Sequence, residues 1–146
     1  MNDSPVKKGD TLKIYVDGAA RGNPGPAASA FLLVQDENII YDNCEFIGTM
    51  TNNVAEYKAI INALKAAERF SRGHIQVYSD TNLAIQQINK KWKINYPHLS
   101  KLCGQVYKLR EKYENVEFFH VRRNNPYIQK CDKLCNERLD AEGFKN

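Results

Sequence analysis

The stretch IYVDGAARGNPGP, residues 14–26, decides the architecture of this chain. Apolar positions alternate up to Asp17, which is the pattern of a half-buried β-strand. A turn rich in glycine and proline follows at once, and it is far longer than a two-residue hairpin needs. We therefore expect Asp17 to lie at the end of a strand, and we take it as the first candidate for a functional carboxylate.

Length and composition indicate one globular domain. The chain has 146 residues, of which 42% are hydrophobic and 26% charged, and such proportions are typical of a folded protein. We expect a domain over residues 11–141, with a flexible tail at 1–10 and a short tail at 142–146. The net charge of +4 permits a polyanionic partner but does not establish one.

The cysteines and the N-terminus predict a reducing compartment. Residues 1–10 contain no apolar segment of a signal peptide, and no apolar run has the length of a membrane helix. We therefore expect a cytoplasmic protein with reduced thiols and no membrane contact. Cys131 and Cys135 are one helical turn apart but too few for a structural zinc site, so we expect them in the core.

The order of periodic segments predicts an α/β fold. Strands are expected at residues 12–17, 28–35, 39–46, 75–79 and 116–121, and helices at 53–71, 80–89, 99–112 and 128–141. A meander followed by strand–helix crossovers predicts a mixed sheet with helices on its faces. Ligands of such sheets bind beyond the carboxyl ends of the strands, where Asp17 and Asp80 are expected.

Each of four acids has a structural explanation as well as a functional one. Asp17 could belong to a hairpin turn, and Glu56 could complete a capping box with Asn53. Asp80 could cap the helix after it, and Asp132 could complement a helix dipole. The long turn after Asp17 argues against the first explanation, and Glu56 is expected beside the apolar face of its helix rather than in open solvent.

Taken together, the four acids point to divalent metal. Clustered carboxylates repel one another and raise each other's pKa values unless a cation neutralises them. Carboxylate oxygens are ligands that Mg²⁺ prefers, and two such ions can activate water and stabilise the leaving oxygen of a phosphodiester. The pattern thus predicts a metal-dependent hydrolase that needs no nucleophilic serine or cysteine.

Four segments in order resemble type 1 ribonuclease H. They are YVDGAARGNPGP at 15–26, TNNVAEY at 51–57, YSD at 78–80 and CDKL at 131–134. The resemblance implies the ribonuclease H-like fold: a five-stranded mixed sheet with its first strand central, made of a three-stranded antiparallel meander plus two parallel strands, with helices on both faces. It also implies hydrolysis of the RNA strand of RNA/DNA hybrids, giving 3′-hydroxyl and 5′-phosphate ends.

The resemblance further implies a two-metal-ion mechanism with Mg²⁺, for which Mn²⁺ substitutes. By position, Asp17 would bridge both ions, Glu56 and Asp80 would hold the ion at the leaving oxygen, and Asp132 would hold the ion that activates water. Asn23, Asn52 and Asn53 would contact the minor groove and the 2′-hydroxyls that distinguish RNA from DNA, and Thr51 would hold a DNA phosphate. Asn23 and Asn53 could instead be a turn residue and a cap.

Three departures from the family leave substrate contacts open. The loop before Asp132 lacks the family's frequent histidine, and Arg122 or Arg123 could contact the scissile phosphate there or could be simply solvated. Some members of the family carry a basic protrusion after the second crossover helix, whereas the basic stretch here, at 90–93, is short. Trp92 within it could stack on a nucleic acid or pack on a helix. Asn82 stands where some relatives have glutamine, and it could retain a substrate contact.

The sequence is also compatible with two other functions. One is a catalytically idle nucleic-acid-binding module, although four intact acids would only repel a polyanion. The other is a metal-dependent nuclease for a different duplex, such as double-stranded RNA, or for a flap. We expect a monomer without an obligate protein partner.

Overall fold

The computed structural model describes Val6 and residues 9–144 of the chain. In this part the elements are β1 (Thr11–Ala20), β2 (Gly25–Gln35), β3 (Asn38–Met50), α1 (Asn52–Ala67), β4 (His74–Ser79), α2 (Asn82–Ile88), α3 (Pro97–Arg110), β5 (Asn115–His120) and α4 (Pro126–Ala141). Of the predicted tails, residues 1–5, 7, 8, 145 and 146 lie outside the described residues, whereas Val6 is buried in the core.

The five strands form one mixed sheet in the order β3-β2-β1-β4-β5. β1 is central, since it pairs antiparallel with β2 and parallel with β4. β3 pairs antiparallel with β2, and β5 pairs parallel with β4. The predicted meander, the two parallel strands and the central first strand are therefore confirmed.

Alternating side chains of the central strands build two cores, one on each face of the sheet. Leu12, Ile14 and Val16 of β1 pack with the buried faces of α1, α2 and α3. Tyr15 of β1 points to the other face and packs with Cys131 and Cys135 of α4, which confirms the cysteines as core residues. This period of two follows from the pleat of a strand.

All four helices are found, but their boundaries differ from the sequence prediction by up to four residues. α1 ends at Ala67 rather than Ser71 because the chain leaves the helix through turns at residues 68–70. α2 begins at Asn82 rather than Asp80, with Thr81 at the N-cap. Asp80 is therefore the residue between β4 and the cap, and the explanation that made it an N-cap is wrong.

No helix in the described part of the chain is both long and apolar enough to cross a membrane.

Candidate active site

A close approach between β1 and α1 brings the first two acids together. An added Cβ on Gly18 would lie 2.3 Å from the carbonyl carbon of Ala55 and 2.5 Å from the backbone nitrogen of Glu56. Real Cβ atoms do not approach backbone atoms this closely, so only glycine lets the helix contact the strand here. Glycine beside Asp17 thus places the start of α1, with Glu56, directly over the strand.

Asp17 is the first residue of β1 beyond its pairing with β4. The parallel register ends at Val16 and Ser79, whereas Asp17 still pairs with Ala30 of β2. The strand continues to Ala20, so Asp17 lies inside β1 and not at its end as predicted. Asp80 follows the last residue of β4, so both acids lie where the parallel pairing of β1 and β4 ends, at one edge of the sheet.

Asp17, Glu56 and Asp80 form a carboxylate cluster. One oxygen from each carboxylate lies within 4.8 Å of the other two. Asp17 is 7% exposed, and the other two side chains are half-buried. Glu56 is the fifth residue of α1, and the N-cap of that helix is Thr51, whose hydroxyl accepts from the Val54 N–H at 3.2 Å. The capping box between Asn53 and Glu56 is therefore wrong.

The electrostatics of the cluster favour a bound cation. Burial is the largest cause that raises the pKa of Asp17, and together with the charges of Asp80, Asp132 and Glu56 it brings that pKa to about 8, although a backbone hydrogen bond from Gly18 opposes the rise. Burial also raises the pKa of Glu56 to about 7, although a hydrogen bond from Thr81 opposes that rise. Carboxylates held this close are costly to ionise together, and a divalent cation removes that cost.

Asp132 reaches the same cleft from the opposite face of the sheet. It is exposed on α4, and it lines a cleft of about 570 Å³ together with Asp17, Glu56 and Asp80. Its oxygens are not among those that lie within 4.8 Å of one another. α4 begins at Pro126, which places Asp132 in the second turn, where a helix dipole has little effect.

The loop between β5 and α4 contributes a cation instead of a histidine. Arg123 lines the cleft, and its Nε lies 3.5 Å from Asp80 Oδ2, with the arginine side chain 92% exposed. His120 is the last residue of β5, and its Nε2 lies 3.2 Å from the backbone oxygen of Asp80. Arg122 is exposed and does not line the cleft.

The predicted asparagines form a small network beside the cleft. Asn23 Oδ1 accepts from the Asn52 N–H at 3.1 Å, and Asn52 Oδ1 accepts from the Ala20 N–H at 3.0 Å. Asn52 and Asn53 line the cleft, whereas Asn23 does not. The network joins the turn after β1 to the start of α1.

Asn82 and Trp92, like Asn23, Thr51 and Arg122, do not line the cleft. Asn82 is exposed at the start of α2, and its Oδ1 accepts from Gln86 Nε2 at 3.0 Å. Trp92 lies in the loop between α2 and α3 and is 47% exposed. That exposure weakens the explanation that Trp92 simply packs on a helix.

Apart from residues 18–20, which directly follow Asp17, sequence reasoning missed three residues that line the cleft: Thr81, Ile128 and Gln129. Thr81 follows Asp80 directly and bonds to Glu56, a contact that no local pattern signals. Gln129 precedes Asp132 by three residues, and that helical spacing could have placed both on one face.

Comparisons with known proteins agree with this geometry. Residues 15–137 match the family described as reverse transcriptase-like. A ribonuclease HI of Halobacterium salinarum is 37% identical over 134 residues, which are 91% of this chain and 66% of that protein. This chain also spans 35% of the length of a mycobacterial relative that is 34% identical.

Solved structures share the fold along the whole domain. The crystal structure of RNase H1 from Halobacterium salinarum superposes with a TM-score of 0.85 at 37% identity, covering 90% of this chain and 98% of that one. LC11-RNase H1, solved in complex with an RNA/DNA hybrid, superposes with a TM-score of 0.84 at 31% identity, covering 90% and 98%. The match over residues 15–137, together with these superpositions, shows that the chain belongs to the ribonuclease H family.

Proposed function

We propose that this protein cleaves the RNA strand of RNA/DNA hybrids endonucleolytically, by a two-metal-ion mechanism that leaves 3′-hydroxyl and 5′-phosphate ends. The observation that carries the proposal is the grouping of Asp17, Glu56 and Asp80 within 4.8 Å. Membership of the ribonuclease H family supports it, as does the structural relative that was solved with a hybrid.

The residues of the cluster fit a hard divalent cation. Three carboxylates converge there, and burial has raised the pKa of the central one, Asp17. An all-oxygen donor set of this kind suits Mg²⁺ or Mn²⁺, and we propose Mg²⁺ with Mn²⁺ as a substitute, two ions per site. When bound, such ions stabilise charge on the phosphate and lower the pKa of water.

Each acid has a proposed place around that pair of ions. Asp17, the most buried, would contact both of them from the floor of the cleft. Glu56 and Asp80 would hold the ion on the side of the leaving oxygen, and Asp132, on the helix across the cleft, the ion on the side of the attacking water. Thr81 donates to Glu56 and so orients that carboxylate.

The rim of the cleft offers groups that suit a hybrid duplex. Asn52 and Asn53 line it, and amide side chains can both donate to and accept from 2′-hydroxyls and base edges in a minor groove. We propose that Asn23 and Thr51 contact the same duplex beside them. Arg123 is exposed at the mouth of the cleft, where its guanidinium suits the scissile phosphate.

More distant contacts are proposed for the residues outside the cleft. The exposed indole of Trp92 could stack on a base of the nucleic acid, and the lysines around it could contact the phosphate backbone. Arg122 and Asn82 are exposed, and we propose them as secondary contacts. A monomeric state and a cytoplasmic location remain predictions from the sequence.

A comparison of substrates tests the proposal. The protein is incubated with end-labelled RNA/DNA, RNA/RNA, DNA/DNA and single-stranded RNA, with Mg²⁺, with Mn²⁺ and with EDTA. We expect metal-dependent cleavage of the hybrid RNA strand alone. Preferential cleavage of RNA/RNA would favour a nuclease for another duplex, and hybrid binding without cleavage would favour an idle binding module.

A further inference from the structure

The side chain of Arg21, just after the central strand, is largely shielded from solvent. Arg21 is the first residue beyond β1, and its side chain is only 10% exposed. Its backbone N–H donates to the Pro26 carbonyl at 2.8 Å and closes the turn of residues 21–26. An arginine is rarely buried to this degree without several partners, because its charge is costly to desolvate.

Those partners all come from the C-terminal half of α4 and the segment after it. Arg21 Nη1 donates to Asp140 Oδ1 at 2.7 Å and to the Phe144 carbonyl. Nη2 donates to Asn136 through its side-chain oxygen at 3.2 Å and its carbonyl at 3.3 Å. Among the ion pairs of the described residues, Arg21–Asp140 is the one that joins α4 to another element.

Asp132 lies on the same helix, one turn before Asn136. Asn136 Nδ2 donates back to the Asp132 carbonyl at 3.0 Å, so the residue bound by Arg21 is itself bonded to the residue at the cleft. The other polar links between α4 and β1 are weak thiol contacts, from Cys131 to the Tyr15 carbonyl at 3.5 Å and from Cys135 to the Asp17 carbonyl at 3.8 Å. A charge-assisted bond is the stronger constraint.

We propose that Arg21 is a positioning residue that fixes α4 against the central strand and thereby sets the place of Asp132 relative to Asp17. The inference rests on the proposed function of that site. Arg21 does not line the cleft, so it acts through Asp132. Its planar guanidinium serves acceptors on two successive turns and on the segment beyond, a geometry that a lysine ammonium cannot reproduce.

The test compares Arg21→Met with a matched variant, Arg138→Met. Arg138 lies on the same helix, where it pairs with Glu142 at 3.0 Å, a contact within the helix and its cap. Circular dichroism first identifies conditions under which every variant is folded. Under those conditions, Mn²⁺ binding to the protein without substrate is measured by calorimetry. The values of kcat and KM are then measured on an RNA/DNA hybrid. We expect Arg21→Met to weaken Mn²⁺ binding and lower kcat about tenfold, as loss of an outer partner of a metal ligand does, and Arg138→Met to change neither by more than about twofold.

A double-mutant cycle separates positioning from general destabilisation. If Arg21 acts through Asp132, Arg21→Met will have no further effect on Mn²⁺ binding in an Asp132→Asn background. An equal additional loss in that background would overturn the proposal, as would wild-type Mn²⁺ binding by Arg21→Met despite a lower melting temperature.

Two milder variants keep the proposal testable if Arg21→Met does not fold. Arg21→Lys and Asp140→Asn break the same contact in part, and we expect intermediate losses of Mn²⁺ affinity from both; unchanged affinity in both would overturn the proposal. If the wild type binds Mn²⁺ but does not cleave hybrids, the proposed function is wrong. The double-mutant cycle on Mn²⁺ binding then still tests the role of Arg21. A wild type that binds no Mn²⁺ would overturn both.

Discussion

The backbone of Gly18 lies so close to Ala55 that a Cβ on the glycine would be 2.3 Å from the Ala55 carbonyl carbon. This contact joins the strand that carries Asp17 to the helix that carries Glu56. The distance between two of the proposed metal ligands therefore depends on the absence of one methyl group.

Gly18→Ala should separate strand from helix and disrupt the site. Because the clashing atoms are backbone, α1 must shift as a whole, and we expect a loss of about 2 kcal/mol or more in the free energy of unfolding. Urea unfolding and hybrid cleavage measure the two consequences. The control is Gly104→Ala, which has open space around it within α3 and should stabilise the protein by up to about 1 kcal/mol. Wild-type stability in Gly18→Ala would contradict the contact.

Asp17→Asn should stabilise the metal-free protein, and more so as pH rises. The folded pKa of Asp17, about 8, lies above its ordinary value of 3.8. Between those values the unfolded carboxyl has lost its proton while the folded one retains it, so wild-type stability falls as pH rises through this window. Asparagine does not titrate and escapes that loss.

Thermal melts in EDTA at pH 5 and pH 8 measure this difference. We expect a small gap between variant and wild type at pH 5 and a gap of at least about 3 °C at pH 8, equivalent to roughly 1 kcal/mol. Added Mg²⁺ should raise the melting temperature of the wild type more than that of the variant. An Asp17→Asn variant that is less stable than wild type at pH 8 would show that Asp17 is not in a strained carboxylate cluster.

Thr51→Ala should destabilise the start of α1. The Thr51 hydroxyl accepts from the Val54 N–H at 3.2 Å, and loss of such a cap costs about 1 kcal/mol. Urea unfolding should show a lower midpoint with an unchanged slope. Thr51→Ser keeps the hydroxyl and should retain most of the stability; equal losses in both variants would place the effect elsewhere.

Trp92→Ala should weaken hybrid binding without lowering stability. The indole is 47% exposed, so little packing is lost, whereas one stacked base contributes about 1–3 kcal/mol. We expect KM for the hybrid to rise roughly fivefold or more, with kcat and the melting temperature unchanged. Trp92→Phe keeps an aromatic face and should recover most of the affinity. An unchanged KM in Trp92→Ala would show that Trp92 does not contact the hybrid.

The order of strands and the approximate place of the acids could be predicted from local patterns. Period-two alternation located β1, and the acids near the ends of two parallel strands had to meet at one edge of the sheet, as Asp17 and Asp80 do. The alternative that made Asn53 the N-cap of α1 is wrong: threonine and asparagine are both good caps, so residue type could not decide between Thr51 and Asn53, and the cap is Thr51.

Long-range contacts were beyond the reach of the sequence. Arg21 and Asp140 are 119 positions apart, and no sequence pattern near either residue predicts their contact. The same holds for Gly18 against Ala55, because a glycine that permits close packing resembles one that merely forms a turn. These contacts set distances within the site, whereas local patterns predict only which elements are present.

We propose the carboxylate cluster as a metal-dependent site for cleaving the RNA strand of a hybrid. The most direct measurement is the rate of cleavage of an end-labelled RNA/DNA hybrid in Mg²⁺, by wild type and by Asp17→Asn, with the product ends identified. We predict cleavage by the wild type with 3′-hydroxyl and 5′-phosphate ends, abolished by EDTA and reduced at least about a thousandfold in Asp17→Asn. Cleavage that survives the Asp17→Asn substitution would contradict the assignment of the site.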